Sequence, residues 1–146
     1  MSDLEKFRSW LKTWEGTKRL QVLNVDYYET EPDNGSIDPS GLVEVSRTED
    51  ILGSVTVENQ LNFALYCSFA KSPDDNDVAT QNAVWLMELQ QWIQEQSIRK
   101  QTPVFGDIPD QETIKAQNGA VDSASPEGTA LYKVLISINY FKKYEV

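Results

Sequence analysis

Apolar and polar positions follow two different periods along this chain, and the changes of period mark its elements. Leu4, Phe7, Leu11 and Trp14 recur at spacings of three and four, with Trp10 beside them, as on one face of an amphipathic helix. Ser2 and Glu5 form a Ser-x-x-Glu capping box ahead of that stripe, and Gly16 is a C-terminal stop, so a helix is predicted over about 3–15. From Leu20 the period falls to two. Leu23, Val25 and Tyr27 alternate with Asn24 and Asp26, which predicts a strand over 20–28. Turn-forming residues run from Glu29 through Pro32, Asp33 and Asn34 to Gly35, so 29–41 reads as an exposed loop. Leu42–Ser46 and Ile51–Val57 are short strand candidates, with Glu58 and Asn59 as a possible turn into Gln60–Lys71. In that last segment Leu61, Phe63, Leu65, Cys67 and Phe69 fall on one face.

Ser72–Asp77 is dense in helix-capping residues, and a second helix is predicted over about 77–99. Leu86, Leu89 and Ile93 mark its buried stripe, with Trp85 and Trp92 alongside. Residues 101–109 read as a loop with an apolar centre, and Gln111–Gln117 as a strand ending at an Asn118-Gly119 turn. After a loop over 123–128 comes a long strand, Ala130–Tyr144, with Tyr132, Val134, Ile136, Ile138 and Tyr140 on one face. The order α-β-β-β-β-α-β-β predicts an α+β domain, a mainly antiparallel sheet flanked by two helices. No internal repeat or long linker divides residues 1–146, so one domain is expected.

Charge narrows the range of partners. With 13 Lys and Arg against 23 Asp and Glu, the net charge is −10. Such a surface repels phosphate, which disfavours sequence-specific nucleic-acid binding and docking on an anionic membrane. No apolar run approaches the roughly 20 residues that span a bilayer, and Met1–Glu5 lacks the pattern of a signal peptide. The charge is also unevenly spread. Residues 26–58 hold nine acids (Asp26, Glu29, Glu31, Asp33, Asp38, Glu44, Glu49, Asp50 and Glu58) against Arg47, a local charge of −8. Residues 1–19 hold Lys6, Arg8, Lys12, Lys18 and Arg19 against Asp3, Glu5 and Glu15, a local +2. Lys6, Arg8 and Lys12 of one copy facing Glu29, Glu31 and Asp33 of a neighbour form a candidate subunit interface.

Catalytic patterns are sparse. The chain has no histidine, which excludes Ser–His–Asp and Cys–His catalysis and His-containing zinc sites. Its single cysteine, Cys67, sits on the apolar face of a strand and reads as a small core residue, and no disulfide can form within the chain. Asp74, Asp75 and Asp77 lack the spacing of a calcium loop and read as helix capping. The four tryptophans read as core packing, with one or two available to a subunit contact. No catalytic residue, cofactor or metal is expected.

Several segments together resemble a family of small Firmicute prophage proteins that carry the names "minor capsid protein" and "chloramphenicol resistance protein". The likeness rests on Leu20–Tyr27 (LQVLNVDY), Asn62–Phe69 (NFALYCSF), Trp85–Gln96 (WLMELQQWIQEQ), Thr102–Gly106 (TPVFG), Thr113–Gly119 (TIKAQNG) and Thr129–Tyr140 (TALYKVLISINY). The segment 29–41 looks longer than in that family. The family looks similar to tail-terminator and tail-completion subunits of long-tailed phages. The resemblance implies an α+β subunit that forms a ring, commonly hexameric, between tail tube and head connector. It also implies a place in the virion after synthesis in the host cytoplasm. The acetyltransferase suggested by the second name relies on a catalytic histidine, which this chain lacks. A neck or other minor capsid protein, and a monomeric acidic binding module that mimics nucleic acid, are the alternatives.

Overall fold

The computed structural model describes residues 2–26, 32–70, 76–124 and 128–145, and all of these except Asn118 and Ala124 with their side chains. Its elements are α1 (Asp3–Leu11), β1 (Val22–Val25), β2 (Asn34–Glu49), β3 (Val55–Ala70), α2 (Asn76–Ile98), β4 (Thr113–Ala124) and β5 (Thr129–Tyr144). The strands form one sheet in the order β1-β2-β3-β5-β4. Only β1 and β2 run parallel; every other neighbouring pair is antiparallel. The fold is therefore α+β, and its mainly antiparallel sheet carries two helices. No helix among the described residues is long and apolar enough to cross a membrane.

The β3–β5 pair is the axis of the sheet. It runs without a register shift from Val55↔Tyr144 to Ala70↔Thr129. One face of this pair presents Phe63, Leu65, Cys67, Phe69, Tyr132, Val134, Ile136, Ile138 and Tyr140, all buried. Both helices pack on that face. Phe7 of α1 stacks on Phe63 at 4.3 Å and 4°, and Trp85 of α2 meets Phe69 edge-on at 5.0 Å. The buried stripe of α2 (Asn82, Trp85, Leu86, Leu89 and Ile93) includes the predicted apolar positions. The opposite face carries no helix among the described residues and is laced by polar pairs. Ser137 donates to Asn62 at 2.7 Å, and Asn139 donates to Glu58 at 3.0 Å.

Several boundaries differ from the sequence expectation, the first being residues 51–53, expected at the start of a strand but forming the turn between β2 and β3. Within the predicted exposed loop 29–41, residues from Asn34 onward are β2, and Asn34, Gly35, Ser36 and Ile37 are buried. The turn-forming residues are tolerated because, among the described residues, no strand lies outside β2 beyond Ile37, so Pro39 breaks no ladder on that side. Bulges between Pro39 and Gly41 and between Glu44 and Ser46 absorb the irregularity, with Gly41 at φ +104°. Glu58 and Asn59 make no turn; they pair with Phe141 and Tyr140 inside the β3–β5 ladder, so Val55–Ala70 is one strand. Asn118-Gly119 is a register shift within β4 and not its end. Finally, α1 stops at Leu11, short of 15. The hydroxyls of Thr13 and Thr17 donate to the carbonyls of Trp10 and Trp14, and a single 3-10 turn follows over Glu15–Arg19. Gly16 is needed there because the Trp14 ring lies where its Cβ would stand, at 2.4 Å. Residues 27–31, 71–75 and 125–127 of the predicted strand end, helix cap and loop lie outside the described residues.

Candidate assembly surface

Beyond the region covered by the helices, β2 and β3 continue as a hairpin that exposes several apolar residues of β2 and of its tip. Leu42, Val43 and Val45 are each about half exposed (57%, 51% and 49%), and Ile51 and Leu52 at the tip are almost wholly so (102% and 85%). Burying one such side chain is worth roughly 1.5–3 kcal/mol, a gain these residues forgo in the single chain. The tip is nevertheless shaped. The Asp50 Oδ1 accepts from the backbone N–H of Leu52 at 2.9 Å and of Ser54 at 3.0 Å, and Gly53 takes φ +88°. Ile51 and Leu52 are thus held outward by a built turn. On the helix-bearing side, the bare end of the sheet forms a groove of about 490 Å³, lined by Leu42, Glu44, Arg47, Val57 and Tyr144.

A second groove lies at the other end of the molecule, between α1, the 3-10 turn and β1. It encloses about 350 Å³ and is lined by Arg8, Lys12, Lys18, Leu20, Val22 and Leu23 among others. The Arg8 Nε is buried there without a hydrogen-bond partner. Such an unmet donor costs about 1–3 kcal/mol until an acceptor arrives. Lys18 pairs with Glu15 at 2.9 Å, with both side chains well exposed.

The candidate interface residues are distributed unevenly. Arg8 and Lys12 come together in the basic groove. Lys6 already donates its Nζ to the Val104 carbonyl at 3.0 Å and lies 3.9 Å from the Asp3 carboxylate. Asp33 lies 3.7 Å from the Arg19 guanidinium, within its own chain. Glu29 and Glu31 lie outside the described residues, as do Asp74 and Asp75.

Among the buried polar groups that sequence reasoning missed, Asn82 and Glu112 stand out by their partners. Asn82 is fully buried; it accepts from Arg19 and donates to the Ala70 carbonyl at 3.0 Å and to the Tyr132 hydroxyl at 3.2 Å. Arg19 also lies over the Phe69 ring at 3.7 Å, so one guanidinium ties the 3-10 turn to β3 and α2. Asn82 stands one turn before Leu86 on the buried stripe of α2, and that position was its only signal. Glu112, also buried, accepts from the Phe105 N–H at 2.8 Å and the Gly106 N–H at 3.3 Å. Burial pushes its carboxyl pKa up, and the two N–H donors oppose that rise. Gly106 is confined because an added Cβ would stand 2.2 Å from the Phe141 carbonyl oxygen. Nothing in the sequence announces this clamp.

Cys67 is buried, and burial pushes its thiol well above the ordinary range, so it lacks thiolate character. The tryptophans form a seam between the helices: Trp10 meets Trp92 at 4.7 Å, and Trp14 meets Trp85 at 5.1 Å. The indole N–H groups of Trp10 and Trp85 donate to the carbonyls of Gln101 and Gly16.

Comparison with known proteins names no family. No family model matches the chain, and no curated protein matches it.

Proposed function

We propose that this chain is a non-enzymatic structural protein of a tailed phage or prophage. In this reading it is a tail terminator or completion subunit, self-associating into a ring that meets the tail tube on one side and the head connector on the other. Its place is the virion, after synthesis in the bacterial cytoplasm. One observation supports the reading above others: the bare hairpin, which exposes Leu42, Val43, Val45, Ile51 and Leu52 on a shaped support. Large apolar side chains left exposed along one hairpin of an acidic chain support a protein–protein contact there. The α+β fold with its mainly antiparallel sheet is the fold expected of such a ring subunit from the resemblance of its segments.

The test is absolute mass in solution by light scattering, over a concentration series reaching the millimolar range. The expected result is a discrete multimer near six times the chain mass of 16.6 kDa. A monomer throughout overturns the ring and favours a monomeric acidic binding module.

A further inference from the structure

The hairpin tip and the basic groove complement each other in two respects. The tip presents two apolar side chains, Ile51 and Leu52, with the carboxylates of Glu49 and Asp50 directly behind them. The groove offers the exposed Val22 over a floor of the buried Leu20 and Leu23, with Arg8, Lys12 and Lys18 around it. Among the described residues neither Arg8 nor Lys12 has an ion-pair partner, and the buried Arg8 Nε lacks an acceptor. Charge and apolar surface therefore match on both sides.

A subunit cannot close this contact on itself. The groove adjoins β1, whose Val22–Val25 pair with Asn34–Ile37 at the start of β2. The tip follows about thirteen residues further along the same strand, roughly 40 Å away at about 3.3 Å per residue. Tip and groove thus lie far apart, toward opposite ends of one strand.

We propose that the tip at 49–52 of one copy seats in the groove of Arg8, Lys12 and Lys18 of a second copy of this chain. The contact is head-to-tail, because the two surfaces are different. Each subunit then carries one free tip and one free groove, and repetition closes a ring or extends a filament. This inference rests on the self-association in the reading above and names its interface.

Two double variants test it in the full-length chain: Ile51→Ser with Leu52→Ser, which blunts the tip, and Arg8→Glu with Lys12→Glu, which reverses the groove. Each is expected to weaken self-association at least tenfold by light scattering, with the melting temperature nearly unchanged. The decisive sample is the mixture. The blunted-tip variant keeps its groove, and the reversed-groove variant keeps its tip, so together they should form a one-to-one pair and nothing larger. A wild-type multimer whose variants assemble equally well overturns this contact and leaves the ring standing. A mixture that stays monomeric overturns it as well. Wild type that is monomeric to the top of the series overturns both the contact and the ring.

Discussion

The two ends of the sheet obey different rules. At the covered end the inward residues of β3 and β5 alternate strictly, meet two helices and lie buried, and the polar groups among them are satisfied by named partners such as Asn82 and Tyr132. At the bare end β3 and β5 continue with the same regular pairing, yet Leu42, Val43 and Val45 on the neighbouring β2 stay about half exposed. Pairing alone therefore does not account for where apolar residues stand. The covered end is explained by the burial it achieves, whereas the bare end achieves none within the single chain and is the surface that the proposed contact between copies would cover.

The contrast is broken most severely at the covered end. Phe63→Ala removes the ring stacked on Phe7 and should cost roughly 3–5 kcal/mol, a fall in melting temperature of about 10 °C in calorimetry. Asn82→Ala comes next. It leaves Arg19 and the Tyr132 hydroxyl short of a buried partner, and chemical denaturation should show a loss of about 2–3 kcal/mol. A loss under about 0.5 kcal/mol would mean that water replaces the amide.

Glu112 gives a smaller effect that depends on pH. Its folded pKa lies above the ordinary value of 4.5, so proton binding favours the folded state. That contribution is complete below the unfolded pKa and is lost as pH rises through the folded pKa. Relative to Glu112→Gln, wild type should therefore gain stability as pH falls from neutral, levelling off below about 4.5. A flat difference across that window in paired urea titrations would refute the raised pKa. The smallest effect belongs to the bare end. Leu42→Ser with Val45→Ser should change stability by no more than about 0.5 kcal/mol, because neither side chain is buried in the monomer. A larger loss would show that the hairpin is part of the core, and the distinction between the two ends would fail.

Legibility in the sequence follows the same division. The stripes Leu86-Leu89-Ile93 and Phe63-Leu65-Cys67-Phe69 were readable because one-sided burial imposes a period on composition. The course of β2 was hidden because, beyond Ile37, its outer side has no partner among the described residues and tolerates Pro39 and Gly41, which elsewhere signal a loop. The Asn118-Gly119 pair misled for a similar reason, since β4 is an edge of the sheet and absorbs a register shift there. Arg19 and Asn82 were invisible because their roles depend on partners distant in sequence, 63 residues apart, and Glu112 because its nearby partners are backbone N–H groups, which no residue type announces. For the candidate surface, Arg8 and Lys12 were found through charge asymmetry. The tip was read as a strand because Ile51 and Leu52 look like core residues until the fold leaves nothing to cover them.

The unbroken β3–β5 ladder also sets the order of events during folding. Its partners lie about sixty to ninety residues apart in the chain, whereas the β2–β3 hairpin closes through a turn of a few residues. Local closure is fast, and distant strand pairing is slow because loop entropy is lost before the contacts form. The hairpin therefore stands for a time with the inner edge of β3 unpaired and Phe63, Leu65 and Phe69 open to solvent. At high protein concentration that interval is a race between the arrival of β5 and capture by the open edge of another nascent chain, so the yield of native protein should fall with concentration during refolding even where the finished fold is stable.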